Sequence, residues 1–433
     1  MAKEKSVDLE AWETCLREAV LEGGARILER LLKETGCGRR EDAVHCACGG
    51  VMKSVGLREK TLQTMLGPLR FARSLYLCSA CRATRFPGDE VLGVEKTGFS
   101  PGVKRLMARA GSRTSFVEAE EDLQVYANLE VDRKEVERIA EGIGAEIEAW
   151  NQSQETAVLK EEEVKKAPLA GEKKIPILYG SFDGTGIPMR REELVGRKGK
   201  QENGEARTRE VKLGCVFTQT STDEEGRPIR DPSSTTYVGG IETSETFGWR
   251  FYAEAARRGL SSAEQVVLLT DGASYNKSII DLHFPKATHI IDLYHALEHL
   301  QNLAKLLSPE AATPSPPAKW VKLLEEGKIE KLIKDIQKRL PRSGKRRQKA
   351  LGEIRYFSEN AERMRYQNFR KRGFFVGSGV IEAGCRTLIA QRLKKSGMFW
   401  SLPGANAIIA SRCCQFSHRF EQFWEDRAAA SPI

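Results

Sequence analysis

Ile175-Pro-Ile-Leu-Tyr-Gly-Ser-Phe182 is an apolar run that delivers Asp183-Gly-Thr-Gly at its end, and further on Gln265-Val-Val-Leu-Leu-Thr270 delivers Asp271-Gly272 in the same way. Short apolar runs bounded by turn residues read as buried strands. Between the two, residues 211–218 and 235–241 read as two more strands and residues 243–258 as a helix. After Asp271 a short helix ends near Phe284-Pro285. His289-Ile-Ile-Asp292 is then a fifth strand, running into a helix over 294–307.

The order β-β-β-α-β-α-β-α is that of a ribonuclease H-like domain, in which the first and fourth strands lie side by side in parallel. Their C-terminal ends would bring Asp183 and Asp271 together although they are 88 residues apart. Two close carboxylates repel each other unless a cation sits between them, which points to a divalent metal. An Asp-Gly pair alone is more often a turn than a ligand. That reading weakens when both pairs cap apolar strands at the two positions this fold uses.

A third carboxylate has two candidates. Glu382 lies in Val376-Gly-Ser-Gly-Val-Ile-Glu382-Ala-Gly-Cys-Arg386, a glycine-rich lead into an amphipathic helix, and the apolar Ile381, Cys385 and Leu388 point to an inward-facing helix. Asp292 lies in Asp292-Leu-Tyr-His295-Ala-Leu-Glu-His299, where Asp292, His295 and His299 share a helical face at i, i+3 and i+7 and could form a further metal site. The favoured reading of Asp292 and His295 is as caps or supporting groups behind the ligands.

The N-terminal part has a different grammar. Residues 8–35 read as a helix in which Leu9, Trp12, Leu16, Val20, Ile27 and Leu31 recur at helical spacing. Two close cysteine pairs follow, Cys46/Cys48 and Cys78/Cys81, separated by 29 residues that read as β-rich. This pattern predicts a zinc ribbon with one structural Zn²⁺. Because the C-x-C pair is shorter than the usual C-x-x-C knuckle, His45 or Cys37 could replace one ligand. Four protein ligands leave no open position, which argues against catalytic zinc.

Residues 102–149 read as helical. One helix covers 115–123, Asn128-Leu-Glu-Val131 is a turn, and Asp132 with Glu135 resembles a capping box opening the next helix. Ala119, Leu123, Val131 and Val136 are spaced as a helix-turn-helix core requires, with Arg133 and Lys134 as candidate DNA contacts. Residues 151–174, Lys/Glu-rich with a Pro and a Gly, read as a linker.

The formal net charge is +9, and residues 338–372 alone carry thirteen Lys or Arg against three Glu. Such clustering suggests a polyanion partner, with Arg342, Lys345, Arg346, Arg347 and Lys349 as the candidate contacts. A solvated helical face is the plainer explanation of any single basic run. No stretch approaches 18 uninterrupted apolar residues, so no membrane span is expected, and without an apolar signal core after Met1 a cytoplasmic, nucleoid-associated protein is expected.

Taken together, Ser181-Phe-Asp183-Gly-Thr-Gly, Thr270-Asp271-Gly-Ala, Phe284-Pro285, Asp292-Leu-Tyr-His295, Gly377-Ser-Gly-Val-Ile-Glu382 and the tail Arg392-Leu-Lys-Lys-Ser-Gly-Met398-Phe-Trp400-Ser resemble bacterial insertion-sequence transposases of the Kra group, relatives of the Mutator-like transposases. The resemblance also takes in the cysteine ribbon with Thr64-Met-Leu-Gly67 and Arg73-Ser-Leu-Tyr76, and so spans about residues 45–415. Jointly the motifs are specific; singly each is weak.

The resemblance implies an Asp-Asp-Glu catalytic triad, matched here by Asp183, Asp271 and Glu382, and a helical insertion before the Glu. It further implies two Mg²⁺ (or Mn²⁺) ions per active site, with Asp183 bridging them and Asp271 and Glu382 each completing one site. The substrates would be double-stranded DNA, both terminal inverted repeats and target, handled by a homodimer or larger synaptic complex. Two features depart from the pattern: the short C-x-C pair and a second helix, after Asp132, that is not strongly basic.

The expected fold is therefore multidomain α+β. It comprises an N-terminal helical segment (1–44), a zinc ribbon (45–93), a helix-turn-helix-like region (94–150) and the linker. A ribonuclease H-like core follows (175–307), interrupted by a basic helical insertion (308–373) and completed by 374–425, which carries the Glu helix. Two rival functions remain: a ribonuclease H-like nuclease that hydrolyses without joining, and a non-catalytic zinc-dependent DNA-binding protein derived from a transposase.

Overall fold

Apolar helices and strands of different period build two separate bodies. The computed structural model describes residues 8–164, 174–199, 206–308 and 315–429. The chain divides into one unit of residues 1–143 with 421–433 and a second of residues 144–420.

The first unit begins with helix α1 (Leu9–Glu34), whose first turn is capped by the Asp8 carboxylate accepting from the Ala11 N–H at 3.1 Å. Strands β1 (Val44–His45), β2 (Val51–Thr64), β3 (Gly67–Cys78) and β4 (Thr84–Arg85) form an antiparallel sheet in that order. Thr64-Met-Leu-Gly67 is the hairpin turn between β2 and β3. The Thr64 hydroxyl donates to the Gly67 carbonyl and accepts from the Leu66 N–H, and Gly67 takes φ +112°, where only glycine is unstrained. Leu28 and Leu32 of α1 pack on Leu62, Leu69, Phe71 and Val94.

Helices α2 (Pro87–Val91), α3 (Pro101–Arg113), α4 (Phe116–Ala127) and α5 (Arg133–Val164) follow. The capping box stands at Ser115/Glu118, opening α4, rather than at Asp132/Glu135. Asp132 does accept from the Lys134 N–H, but Glu135 turns away to pair with Arg138 at 2.5 Å, so only half of the expected box forms. Asn128 closes α4 in the left-handed region, and Ala119, Leu123, Val131 and Val136 are all buried.

The second unit starts inside α5, which continues as helix to Val164 through the first part of the stretch expected to be a linker; residues 165–173 lie outside the described residues. Next come β5 (Ile175–Pro188), β6 (Thr208–Gln219), the short ribbon β7 (Ser221–Thr222) and β8 (Pro228–Ile229), β9 (Thr236–Gly240), α6 (Ser244–Arg257), β10 (Ala263–Thr270), α7 (Ser274–His283), β11 (Thr288–Ile291) and α8 (Leu293–Leu307). The main sheet is mixed, in the order β11-β10-β5-β6-β9. β5 is antiparallel to β6 and parallel to β10, and β10 is parallel to β11.

Alternation along β5 sends Leu178 and Phe182 into a core with Phe247, Phe251, Leu268, Ile279, Ile280 and Phe284 beneath α6 and α7. Gly180 shares that face, and a Cβ there would stand 2.5 Å from Leu268 and 2.8 Å from Phe251, so the glycine lets α6 sit close. The opposite face carries Tyr179, stacked on Phe217 at 4.9 Å, then Ser181 and Asp183.

Helices α9 (Ala318–Glu325), α10 (Ile329–Gln337), α11 (Lys345–Glu359) and α12 (Tyr366–Lys371) have a core of their own, including Trp320, Leu332, Phe357 and Tyr366, all buried. α11 lies along α8. The second unit is completed by α13 (Gly379–Gly384), a π-helical stretch Cys385–Ala390, α14 (Gln391–Leu393) and α15 (Leu402–Phe416); α16 (Phe420–Ala429) belongs, but for its first residue, to the first unit. The tail motif is structural: buried Arg392 lies over the Trp400 ring at 5.0 Å, and the Trp400 carbonyl accepts from the Arg190 N–H at 2.9 Å just beyond β5. Among the described residues no helix is long and apolar enough to cross a membrane.

Candidate functional site

Parallel pairing sets Leu269 of β10 opposite Ser181 of β5, so Asp271 and Asp183, each two residues further on, stand at the same level. Asp183 is on the sheet face that meets α13, where the Cys385 thiol points at its Oδ2 from 3.9 Å. Burial pushes the Asp183 carboxyl above its usual range. The Gly184 N–H opposes that rise, the charge of Asp271 adds to it, His295 opposes it, and Glu382 adds to it. One half-buried carboxylate thus feels both of the others.

Each carboxylate is held by its own local structure. Asp271 begins a tight turn in which Gly272 takes φ +89°, and its Oδ1 accepts from the Ala273 N–H at 2.9 Å and from buried Asn276 at 2.6 Å. Its backbone carbonyl accepts from the Tyr356 hydroxyl of α11 at 3.1 Å. Glu382 sits exposed on the rim of α13 while Ile381, Cys385 and Leu388 beside it are buried, so the helix faces inward but the carboxylate stays at its edge. The Ser378 hydroxyl donates to Glu382 Oε1 at 2.8 Å.

Asp292 is fully buried and acts as a clamp. Its Oδ1 caps α8 through the Tyr294 and His295 N–H groups, and its Oδ2 accepts from the Ser378 N–H. With the Leu293 N–H bonded to the Val376 carbonyl at 2.9 Å, the segment leading to Glu382 is tied to the end of β11. His295 pairs with Glu298 at 3.3 Å. His299 pairs with Glu353 at 2.5 Å and stacks on Tyr356 at 3.6 Å, so Asp292, His295 and His299 turn to separate partners.

Sequence reasoning did not single out Tyr356, Asn276, Ser378, Lys394 or Tyr275. Lys394 donates to Thr185, two residues after Asp183, at 2.6 Å. Burial raises the Tyr275 hydroxyl, and the charges of Glu210, Asp271 and Asp183 add to this, so the ring lies beside the acidic cluster. Of these, Asn276 had a local signal, lying five residues after Asp271 in the same turn-helix junction, and Ser378 and Lys394 stood inside quoted motifs without a role of their own.

The donor set at Asp183, Asp271 and Glu382 is hard oxygen, which suits Mg²⁺ or Mn²⁺. Burial raises the Cys385 thiol to about 12, so in the metal-free site it is protonated. Among the described residues, the group whose ligand atoms all lie within 4.8 Å of one another is instead the four cysteines. A bound cation would therefore have to draw the carboxylates closer than they stand.

Cys46, Cys48, Cys78 and Cys81 form that tight group, with Cys46–Cys81 sulfurs 3.4 Å and Cys48–Cys78 sulfurs 3.6 Å apart. A tetrahedron of Zn–S bonds of about 2.3 Å has sulfur–sulfur edges of about 3.8 Å, so the cluster could hold a structural zinc. Gly49 (φ +84°) lets the short Cys-x-Cys loop close, with the Gly49 N–H on the Cys46 carbonyl at 2.9 Å. Neither His45 nor Cys37 belongs to the group. Hydrogen bonds from the Cys81 and Ala80 N–H groups lower the Cys78 thiol to about 6, favouring the thiolate a metal requires.

The basic run divides by partner. Arg365 is held by Glu330 and Glu362 at 2.6 Å, and Arg347 donates to the Pro341 carbonyl at 2.8 Å. Arg342, Lys345, Arg346 and Lys349, around the start of α11, are exposed, as are Arg133 and Lys134 at the start of α5.

No protein-family model and no curated protein matches the chain. Among solved structures, the Drosophila P element transposase strand transfer complex is similar over 79% of this chain and 84% of that one, at 9% identity and a TM-score of 0.23, a likeness too slight to argue from.

Proposed function

We propose that the chain is a DNA transposase whose second unit is a ribonuclease H-like core, with Asp183, Asp271 and Glu382 as its catalytic triad. The observation that carries this reading is the level pairing of Asp183 and Asp271 on adjacent parallel strands, with Glu382 within electrostatic reach of Asp183. The strand order gives it support, since the five main-sheet strands taken by appearance run 3-2-1-4-5 across the sheet. The resemblance of its motifs to those of the Kra group favours transposition over plain hydrolysis.

Asp183, Asp271 and Glu382 would hold the two Mg²⁺ ions, with Asp183 the ligand common to both. When bound, such ions supply charge stabilisation for the attacking and leaving oxygens of an in-line displacement. The chain's own residues then fix geometry. Asn276 and Tyr356 hold the Asp271 turn, Asp292 and Ser378 hold the approach to Glu382, and Lys394 stands beside the site where a phosphate would lie. Hydrolysis at the element end breaks one P–O bond and frees a 3′-OH; that hydroxyl attacks a target phosphate, expelling a target 3′ oxygen. The exposed bases of α11 would track phosphates, and the cysteine module and the helices α3–α5 would contribute to recognition of the ends.

The test is single-turnover cleavage of a terminal-repeat duplex with Mg²⁺, followed by capture into plasmid. Asp183→Asn, Asp271→Asn and Glu382→Gln should each keep DNA binding and lose both steps by about a thousandfold or more. Cleavage without joining by the parent protein would establish a nuclease; binding with neither step, a DNA-binding protein. An active Glu382→Gln beside a dead Asp292→Asn would reassign the third ligand.

A further inference from the structure

The helical stripe of α1 does not pack into the body of its unit. Leu9, Trp12, Leu16, Val20, Ile27 and Leu31 are between 52% and 71% exposed, one apolar face along a helix of 26 residues. The inward contacts use a different face, with Leu28 and Leu32 on the β2–β3 core. The helix is nevertheless held: Arg17 donates to the Tyr126 carbonyl at 2.7 Å, which fixes the N-terminal half. Six large apolar side chains on an anchored surface helix are the mark of an interaction face.

We infer that α1 is a homodimer surface on which two copies of this chain pair antiparallel. Charge selects both occupant and direction. Residues 8–22 carry five acids (Asp8, Glu10, Glu13, Glu18, Glu22) against Arg17, a net −4, whereas residues 23–34 carry Arg26, Arg30 and Lys33 against Glu29 and Glu34, a net +1. A parallel pair would set the acidic half on itself. The antiparallel pair lays each acidic half along the other copy's basic half, a self-complementary, two-fold arrangement.

The stripe is centred near Val20, so Leu9 faces Leu31 and Trp12 faces Ile27. Leu16 meets the region of Gly23, where a Cβ would meet nothing within 4 Å, whereas Gly24 turns to Leu66 of its own unit. Bulk thus faces bulk at the ends and space near the middle, as close helix packing requires. The ion pairs already on this helix, such as Arg26–Glu22 and Arg30–Glu34, are exposed and offer little resistance to re-pairing.

The experiment uses the full chain without DNA, so its outcome is independent of any catalytic reading. Sedimentation equilibrium should give a dimer, and Trp12→Glu/Leu16→Glu should weaken association by at least about tenfold, with circular dichroism and zinc content unchanged. In a Cys15→Ser background, Leu9→Cys protein mixed with Leu31→Cys protein should cross-link on oxidation, while neither should cross-link to itself. A monomeric parent, a dimer indifferent to the two glutamates, or self-cross-linking of the Leu9→Cys protein would each overturn the inference.

Discussion

The Tyr356 hydroxyl donates to the backbone carbonyl of Asp271 at 3.1 Å, joining residues 85 apart in sequence. The same ring lies 3.0 Å from where a Cβ would stand on Gly272, and it stacks on His299 at 3.6 Å. Helix α11 therefore carries exposed bases at its start and, three turns on, a ring that fixes the turn bearing a carboxylate of the candidate site.

Removing only that hydroxyl tests whether it positions Asp271. Tyr356→Phe keeps the ring and loses one neutral hydrogen bond, worth about 1 kcal/mol. Single-turnover cleavage at limiting Mg²⁺ should fall by roughly fivefold and recover at saturating Mg²⁺, with little change in melting temperature. A loss that no Mg²⁺ concentration restores would place Tyr356 in contact with substrate.

Zinc occupancy tests the cysteine cluster. The protein should bind one zinc per chain, and Cys78→Ser should lose it, because three thiolates and a hydroxyl make a poorer site than four thiolates. Retention should also fall as the solution is acidified, since protons compete with zinc for the thiolates. Undiminished zinc in Cys78→Ser protein would remove the cluster from the account.

Much of the sheet was legible because its strands are apolar, short and bounded by turns, and the level pairing of Asp183 with Asp271 follows from strand order alone. The supports were not. Tyr356 and Ser378 reach their partners across long sequence separations, and no local pattern marks a tyrosine as the donor to one particular carbonyl. The helical spacing of Leu9, Trp12, Leu16 and Val20 predicted a helix correctly, yet periodicity does not say what covers a stripe. Asp132/Glu135 had the right composition for a capping box, but a nearby Arg138 competed for the glutamate.

Salt dependence separates contact from scaffold in the basic run. Each exposed cation of α11 that meets a phosphate should lower the log–log salt slope of duplex binding by about 0.9 on neutralisation. Arg346→Ala/Lys349→Ala should thus reduce the slope by about 1.8 on specific and random DNA alike. Arg365→Ala should leave the slope alone and lower stability instead, because its guanidinium is already taken by Glu330 and Glu362. Equal slopes for all variants would mean that α11 is only a solvated face.

Asp183 gives a prediction that needs no DNA. Burial is the main cause of its raised pKa, with Asp271 and Glu382 adding to it. A carboxyl whose folded pKa lies above its unfolded value binds more protons in the folded state. Its contribution to stability is therefore full at low pH and is lost as pH rises through the folded pKa. At neutral pH in chelator the ionised Asp183 is a net liability, and Asp183→Asn should melt higher than the parent. The difference should vanish as pH falls below the ordinary carboxylate range, where the parent is protonated too. Mg²⁺ should reverse the ranking at neutral pH, raising the parent's melting temperature and moving the Asn variant less, since the amide keeps the shape but not the charge that attracts a cation. Thermal melts of both proteins across pH, with chelator and with Mg²⁺, decide the matter. An Asn variant that melts lower than the parent in chelator at neutral pH would make Asp183 a structural carboxylate, satisfied without metal, and would withdraw it from the triad.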